Sequence, residues 1–412
     1  MIRFSARPEL VLDSRGGRHM YEQVDRLRAM GPAVPVELPE GVGAWSVTRG
    51  DVVRLLLTHP GVSRNLVDNV PDYERGSVPW LAPWVDVESM ATAEGAAHAR
   101  LRKLVTPAFT PRRVEALRGQ VRAVVAGLLE ELADLPEPVD LNAAFSYRVP
   151  TQVICDLFGV PAAQRPEVLR VLNAAGATDL TEAESLRLNE DLYAAMRVLI
   201  ATRQAEPGDD LTSFLLAAET GGEVPLVEHE LISTLLLMIG GGSQTTINLV
   251  NHSVRELLAH PEQLAVVRAD PARWTDVVEE SLRLHCPVMH LPMRWATEDI
   301  DLGEGVVIRK DDAILICYGG HGRDPAVHDR PEVFDIDREN KEHLAFGLGA
   351  HFCPGSHLAR LEAAEALPAL FDRFPDLALA VEPDEVPPRD TFIGNDVAVL
   401  PVLPHGTRPK ED

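Results

Sequence analysis

Between Leu231 and Ala259 the chain holds one long stretch at helical spacing, closed by His260-Pro261. Helical throughout, it would measure about 45 Å, enough to cross a whole domain, so whatever this sequence folds into must be assembled around that rod. Its middle carries an oddity, Gly240-Gly241-Gly242. Each glycine costs a helix interior up to about 1 kcal/mol relative to alanine, so three in succession should serve a purpose. The most apolar part, Leu231 to Gly242, falls short of the ~18 residues a membrane span needs, and Gln244, Thr245 and Thr246 follow it directly.

The second constraint is Phe346-Gly347-Leu348-Gly349-Ala350-His351-Phe352-Cys353-Pro354-Gly355. Gly347, Gly349 and Gly355 put three positions without side chains around one cysteine, which suits a tight backbone pressed against something flat. Directly after it, Ser356 to Glu362 opens a helix-like run with Leu358, Leu361, Leu367 and Leu370 at multiples of three. The sulfur therefore sits at a helix N-terminus, where free N–H groups and the dipole favour a thiolate, the form that ligates metal. No second cysteine lies nearby to build a four-ligand zinc or iron–sulfur site. Haem brings four nitrogens of its own and needs one axial ligand. The plainer alternative is a small buried hydrophobe in a glycine-rich turn. These ten residues, however, resemble at every fixed position the haem-binding signature of the cytochromes P450, the haem-thiolate monooxygenases.

The resemblance runs from about residue 18 to about residue 400 as one unit, and it implies a mainly α, single-domain fold spanning 1–412. In that fold a long central helix crosses over the haem, with a small N-terminal β region at one side. Residues 18–30 at helical spacing, then 32–38 and 43–48 as two short strands, fit it. It implies haem b with Cys353 as the iron ligand, seated among Phe346, Gly347, Gly355 and His351. It places Gly241 and Gly242 at the oxygen site, where the central helix should open, and Thr245 facing the oxygen. His98 and Arg102, four apart on one helix face, and Arg294 are the expected propionate partners, because buried carboxylates must be paired. Glu280, Arg283 and Arg338 are the expected structural triad behind the cysteine loop.

The resemblance likewise assigns substrate contacts to Trp84, Leu237, Met238, Val288, Met289, Leu291, Phe392 and Ile393. Residues 61–95, which lack any sustained period, are the expected flap over the substrate, with Pro79–Trp84 near the ligand or holding the loop down. A mobile lid is expected near residues 175–182. His290 is expected to satisfy a loop backbone, and Pro368 to kink or end the helix after Cys353.

One departure stands beside Thr245. The family usually carries Asp or Glu before this threonine to deliver protons; Gln244 can hydrogen-bond but cannot titrate. This keeps oxidative coupling of phenolic or indolic substrates, without oxygen insertion, as an alternative to monooxygenation. A haem-free, non-catalytic helper is a third reading, which the retention of Cys353, His351, Thr245 and the propionate arginines opposes.

The net charge of −24 and a pI near 5.0 argue against nucleic acid or an anionic membrane as partner. Scattered cysteines and the lack of a basic-then-apolar N-terminus imply a reducing cytoplasm. The chain has no flavin or iron–sulfur module, so electrons from NAD(P)H are expected to arrive through a ferredoxin reductase and a ferredoxin. The ferredoxin would dock near Arg100, Lys103, Arg112, Arg113 and Lys341. The substrate is expected to be a small apolar natural product or steroid-like molecule, oxidised with O2.

Overall fold

A computed structural model describes residues 4–70, 73–175, 181–217 and 226–406. The rod is one helix, Glu228–Ala259, started by Glu230 accepting the Val227 N–H at 3.2 Å and ended before Pro261. It runs unbroken through Gly240–Gly242, so the expected opening at the small residues is absent. The glycines act instead by what they leave out. A Cβ at Gly242 would lie 2.8 Å from Ile154 Cδ1, on the helix Arg148–Leu157, and one at Gly240 would lie 3.3 Å from Leu172 Cδ2, on Arg165–Ala174. A Cβ at Gly241 would meet nothing within 4 Å, because this position looks into a cavity. The glycine run thus lets two helices approach closely and keeps a third position open.

The helices Arg118–Ala133, Glu182–Ala205, Trp274–Leu284 and Ser356–Arg373 complete the main helical core around the rod. Pro368 lies inside Ser356–Arg373 and does not end it; the eighteen residues are assigned helical throughout. The proline removes one donor, but Leu367, Leu370 and Phe371 on the same element are fully buried, and burying their apolar area outweighs a single lost hydrogen bond.

The β region is larger than its N-terminal part. Val34–Leu38 and Val42–Val47 pair antiparallel, with Leu10–Val11 parallel on the outer edge. Val42–Val47 then pairs parallel with Ala313–Cys317, which pairs antiparallel with His290–Ala296, and Val62–Ser63 closes the far edge. Strands more than two hundred residues apart thus share one sheet, and it carries residues 288–294 to the cavity. Smaller sheets join Val139–Asp140, Ala378–Leu379 and Pro401–Leu403, and Ile300–Asp301 with Val307–Ile308.

The flap contains short helices at Leu66–Asn69 and Ala82–Val85. Most of the lid expected near 175–182 lies outside the described residues. Among the described residues no helix is long and apolar enough to cross a membrane.

Candidate functional site

A cavity of about 950 Å³ separates the central helix from the loop at Phe346–Gly355, and Cys353 is the one cysteine of four that lines it. Its loop is shaped by Gly347 at φ 72° and Gly349 at φ 74°, values that a residue with a side chain adopts only with strain. The Cys353 N–H donates to Phe346 O at 2.8 Å, closing the turn. Burial raises the Cys353 thiol pKa, while the Gly355 N–H, the Arg102 and Arg360 charges and the Ser356 N–H oppose it. A Cβ on Gly355 would sit 3.8 Å from Sγ, at ordinary van der Waals contact with the sulfur. At the other three cysteines burial outweighs the groups that oppose it. Burial pushes Cys155 up to about 11 and Cys317 up to about 12, and raises Cys286 further, which keeps all three as inert thiols.

At the cavity wall the protein gathers basic groups, Arg64 lining the wall itself and Arg294 and His98 lying against its lining residues Tyr318 and His351. Arg64 and Arg294 are buried at 3% exposure and flank the Tyr318 hydroxyl. Burial alone would raise the Tyr318 pKa, yet the two guanidinium groups hold it below the ordinary value. Burial lowers Arg64 to about 10, still a cation at neutral pH. His98 is also buried, its ring 4.6 Å from that of His351, and His351 faces Glu94 at 3.4 Å. Arg64 Nε, Arg294 Nε and His98 Nε2 have no hydrogen-bond partner in the protein. A buried donor left unpaired costs about 1–3 kcal/mol, so three together suit a ligand that brings carboxylates. Haem, with two propionates, a flat face for the open Gly241 and an iron for Cys353, fits this donor set. Arg102 also lines the cavity, but its guanidinium donates to Phe352 O at 2.6 Å and thereby also braces the cysteine loop. No grouping of three or more His, Cys, Asp or Glu suited to a separate metal ion occurs among the described residues.

Across the cavity, Thr245 and Gln244 lie on the rod, and the Thr245 hydroxyl donates to Gly241 O at 2.8 Å. Trp84, Leu237, Met238, Val288, Leu291 and Ile393 line the same space. Two expected substrate contacts do not. Met289 is wholly buried with Sδ against Gly319, where a Cβ would come within 2.3 Å of it, because alternation along an extended segment turns it away from Val288. Phe392 is 1% exposed and packs edge-to-face on Trp80 at 5.5 Å, on the opposite side from Ile393. Trp80 donates to Pro39 O at 3.1 Å, so of the two flap tryptophans Trp80 anchors the loop and Trp84 faces the cavity. His290 Nδ1 meets Phe392 O at 2.7 Å, satisfying a backbone carbonyl.

Behind the loop, Arg283 donates to both Glu280 oxygens at 2.7 Å, and Arg338 Nε reaches Glu280 Oε1 at 3.2 Å. Arg283 also donates to Pro331 O and Val333 O, and the Asp335 N–H donates to Glu280 at 3.0 Å, so the cluster clamps the segment that leads to Phe346. Of the five expected docking cations, Lys341, Arg100 and Lys103 interact within the protein. Lys341 donates to Arg338 O and pairs with Asp276, and Arg100 pairs with Glu230. Arg112, Arg113 and Lys103 are exposed.

Sequence reasoning missed Arg64, Tyr318, Asn248, Glu362 and Asp396, all cavity residues. None sits in a recognisable spacing. Arg64 and Tyr318 are brought together only by the sheet, and Asp396 follows Gly394, which forms an antiparallel bridge to Val288.

The family model described as Cytochrome P450 matches residues 274–404. The chain is 42% identical, over 94% of its length and 95% of the relative's, to 2-hydroxy-5-methyl-1-naphthoate 7-hydroxylase of Streptomyces carzinostaticus. It is 35% identical, over 93% and 95%, to 6-deoxyerythronolide B hydroxylase of Saccharopolyspora erythraea. Among solved structures, CYP154A1 from Streptomyces coelicolor A3(2) superposes with a TM-score of 0.90 at 44% identity, covering 96% of this chain and all of that one. With a cysteine facing a cation-rimmed cavity beneath a continuous helix, and relatives matched over nearly its full length, the chain belongs to the cytochrome P450 family, as a bacterial haem-thiolate monooxygenase.

Proposed function

We propose that this enzyme hydroxylates a multi-ring or macrocyclic apolar natural product, with Cys353 holding the haem iron and Arg64, His98, Arg102 and Arg294 holding the propionates. The observation that carries the reading is a set of three buried nitrogens without a hydrogen-bond partner. Arg64 Nε lies on the wall of the cavity that Cys353 also lines, and Arg294 Nε and His98 Nε2 belong to side chains packed against its lining residues Tyr318 and His351. Bound haem supplies the activation of O2 and the delivery of one oxygen atom to a C–H bond. The chain's part is to position and to shield. The cysteine loop, cross-braced by Arg102 and by the Arg360 guanidinium 4.5 Å over the Phe346 ring, fixes the sulfur. Trp84, Leu237, Val288, Leu291 and Ile393 offer apolar walls that exclude water from the reacting carbon. Thr245, its proton committed to Gly241 O, presents acceptor lone pairs to the cavity.

The two relatives' names, a bicyclic aromatic acid and a macrolide ring, bracket the substrate class that a cavity of about 950 Å³ suits once haem occupies part of it. Electrons come from NAD(P)H through a ferredoxin reductase and a ferredoxin docking at Arg112, Arg113 and Lys103.

The test is spectral titration of the purified holoenzyme against macrolides, steroids and naphthoic acids, followed by product mass. A gain of one oxygen supports hydroxylation, and a loss of two hydrogens supports oxidative coupling instead. Arg112→Glu with Arg113→Glu should lower ferredoxin-driven turnover and spare peroxide-driven turnover; equal loss of both would refute the docking face.

A further inference from the structure

Monooxygenation consumes protons as well as electrons. R–H, O2, two electrons and two protons give R–OH and water, with the electrons drawn from the reductant and the protons ultimately from bulk water. A titratable side chain near Thr245 would supply these protons directly, and Gln244 is not one. The cavity wall holds three carboxyls among the described residues, on Glu362, Asp390 and Asp396. Asp390 is exposed, at the rim. Glu362 is buried on the helix after Cys353, with Thr246 its nearest polar neighbour. Asp396 meets the rod at Asn248, three residues after Thr245, and of the three it is the one carboxyl held by a side-chain amide of the rod. Asn248 Nδ2 donates to its Oδ1 at 2.5 Å, and the Gln244 side chain lies near enough to the same carboxyl to favour its charged form.

The position is built. Asn248 stands one helical turn after Gln244, so both amides point to one carboxyl from one helix face. A Cβ at Gly394 would lie 2.3 Å from Asp396 Oδ1, so a side chain there would push the carboxyl out of this position. Asp396 is only partly buried, and it lines the cavity, so part of its open surface faces inward. Burial raises its pKa; Asn248, the Arg389 charge and Gln244 pull the other way. The charged and titratable groups facing this segment are Arg389, across the bridge Pro388↔Val397, His252 on the rod, whose Nε2 meets Asn395 O at 2.8 Å, and Tyr21, whose hydroxyl accepts from Asn395 Nδ2 at 2.7 Å. The segment at Pro287–Val288 contributes none.

We propose that Asp396 is the titrating group that releases protons into the Thr245 end of the cavity, oriented for it by Gln244 and Asn248. The acid that position 244 lacks is thus supplied from a segment about 150 residues later in the chain, and it recovers its proton from water at the cavity mouth beside Arg389. Gln244 and Asn248 are positioning residues; their amides hold the carboxyl and do not titrate. This rests on the reading that oxygen is reduced at Thr245, and the test separates the two.

The test uses holoenzyme with NADH, a ferredoxin and its reductase, and 2-hydroxy-5-methyl-1-naphthoate as probe. The readout is the fraction of consumed O2 released as hydrogen peroxide between pH 5.5 and 8.5 (about three units, to span a raised carboxyl pKa). Wild type should leak more peroxide as pH rises and Asp396 loses its proton. Asp396→Asn should leak severalfold more at low pH, with the pH dependence gone, and adding Gln244→Glu to that variant should restore coupling. Independently of turnover, and in a Glu362→Gln background that removes the band of the other buried carboxyl, the infrared band of a protonated carboxyl should titrate and be missing once Asp396→Asn is added. A variant that couples like wild type, keeps its pH dependence, keeps the band, or fails without rescue by Gln244→Glu overturns the proposal. If Thr245→Ala also leaves peroxide release unchanged, the oxygen site itself has been misplaced; if only Asp396→Asn is silent, the fault lies with Asp396.

Discussion

Replacing Glu280 by glutamine should be the most damaging isosteric change in this protein outside the haem site. Glu280 and Arg283 are both 0% exposed, and the carboxylate accepts from Arg283 twice, from Arg338 and from the Asp335 N–H. Glutamine keeps the volume, but it removes the charge and turns one acceptor into a donor that faces the Arg283 guanidinium. Arg283 retains its bonds to Pro331 O and Val333 O, yet its positive charge is left uncompensated in a dry site. Breaking a buried pair from one side costs about 3–5 kcal/mol. With an unfolding entropy of about 2.1 cal/mol/K per residue over 412 residues, that cost becomes a fall of about 3–6 °C in melting temperature. The assay is loss of the haem absorption band during heating at one fixed scan rate, since a protein this large need not unfold reversibly. Glu304→Gln serves as the control. Its partner Arg49 and Glu304 itself are 27% and 61% exposed, so the pair is worth about 0–1 kcal/mol and the shift should stay within about 1 °C. If Glu280→Gln melts within that same interval of wild type, the argument that this cluster clamps the cysteine loop is refuted.

Further outcomes follow from the same geometry. Arg294→Met should speed haem transfer to apomyoglobin about 10–100-fold, the equivalent of one charge-assisted hydrogen bond of about 1.5–3 kcal/mol, and an unchanged rate would remove Arg294 from the propionate set. Phe392→Ala should destabilise by about 3–5 kcal/mol while leaving substrate dissociation constants close to wild type; Ile393→Ala should do the reverse, and the two melts and titrations decide it. Gly241→Ala should raise stability by up to about 1 kcal/mol, because nothing lies within 4 Å, while weakening carbon monoxide binding; Gly242→Ala, 2.8 Å from Ile154, should not be stabilising. Burial lifts the Glu362 carboxyl to about 8. The folded protein then holds a proton that the unfolded chain has released above its ordinary carboxylate pKa, so wild-type stability should fall, relative to Glu362→Gln, from about pH 4.5 to 8 and level off above. A constant difference across that range would count against it.

The parts of this protein visible in its sequence are those whose chemistry is local. The glycine-spaced cysteine loop, the long apolar rod and the Glu280–Arg283 pair each lie within one short segment, where spacing alone sets which side chains share a turn or a face. Even there the sequence misled once: three glycines suggested an opening, and they serve close helix contacts and one cavity-facing position instead. What only the tertiary structure decided is which distant residues meet. Arg64 and Tyr318 come beside Arg294 because strands from opposite ends of the chain share a sheet. Met289 and Phe392 leave the cavity because pleating sends neighbouring side chains to opposite faces, and a one-residue register is not written in composition. Asp396 reaches Gln244 across about 150 residues for the same reason. A single sequence carries the period of its helices and the chemistry of its turns, but contacts between segments are fixed by which apolar faces bury one another, and that is settled only when the whole core closes.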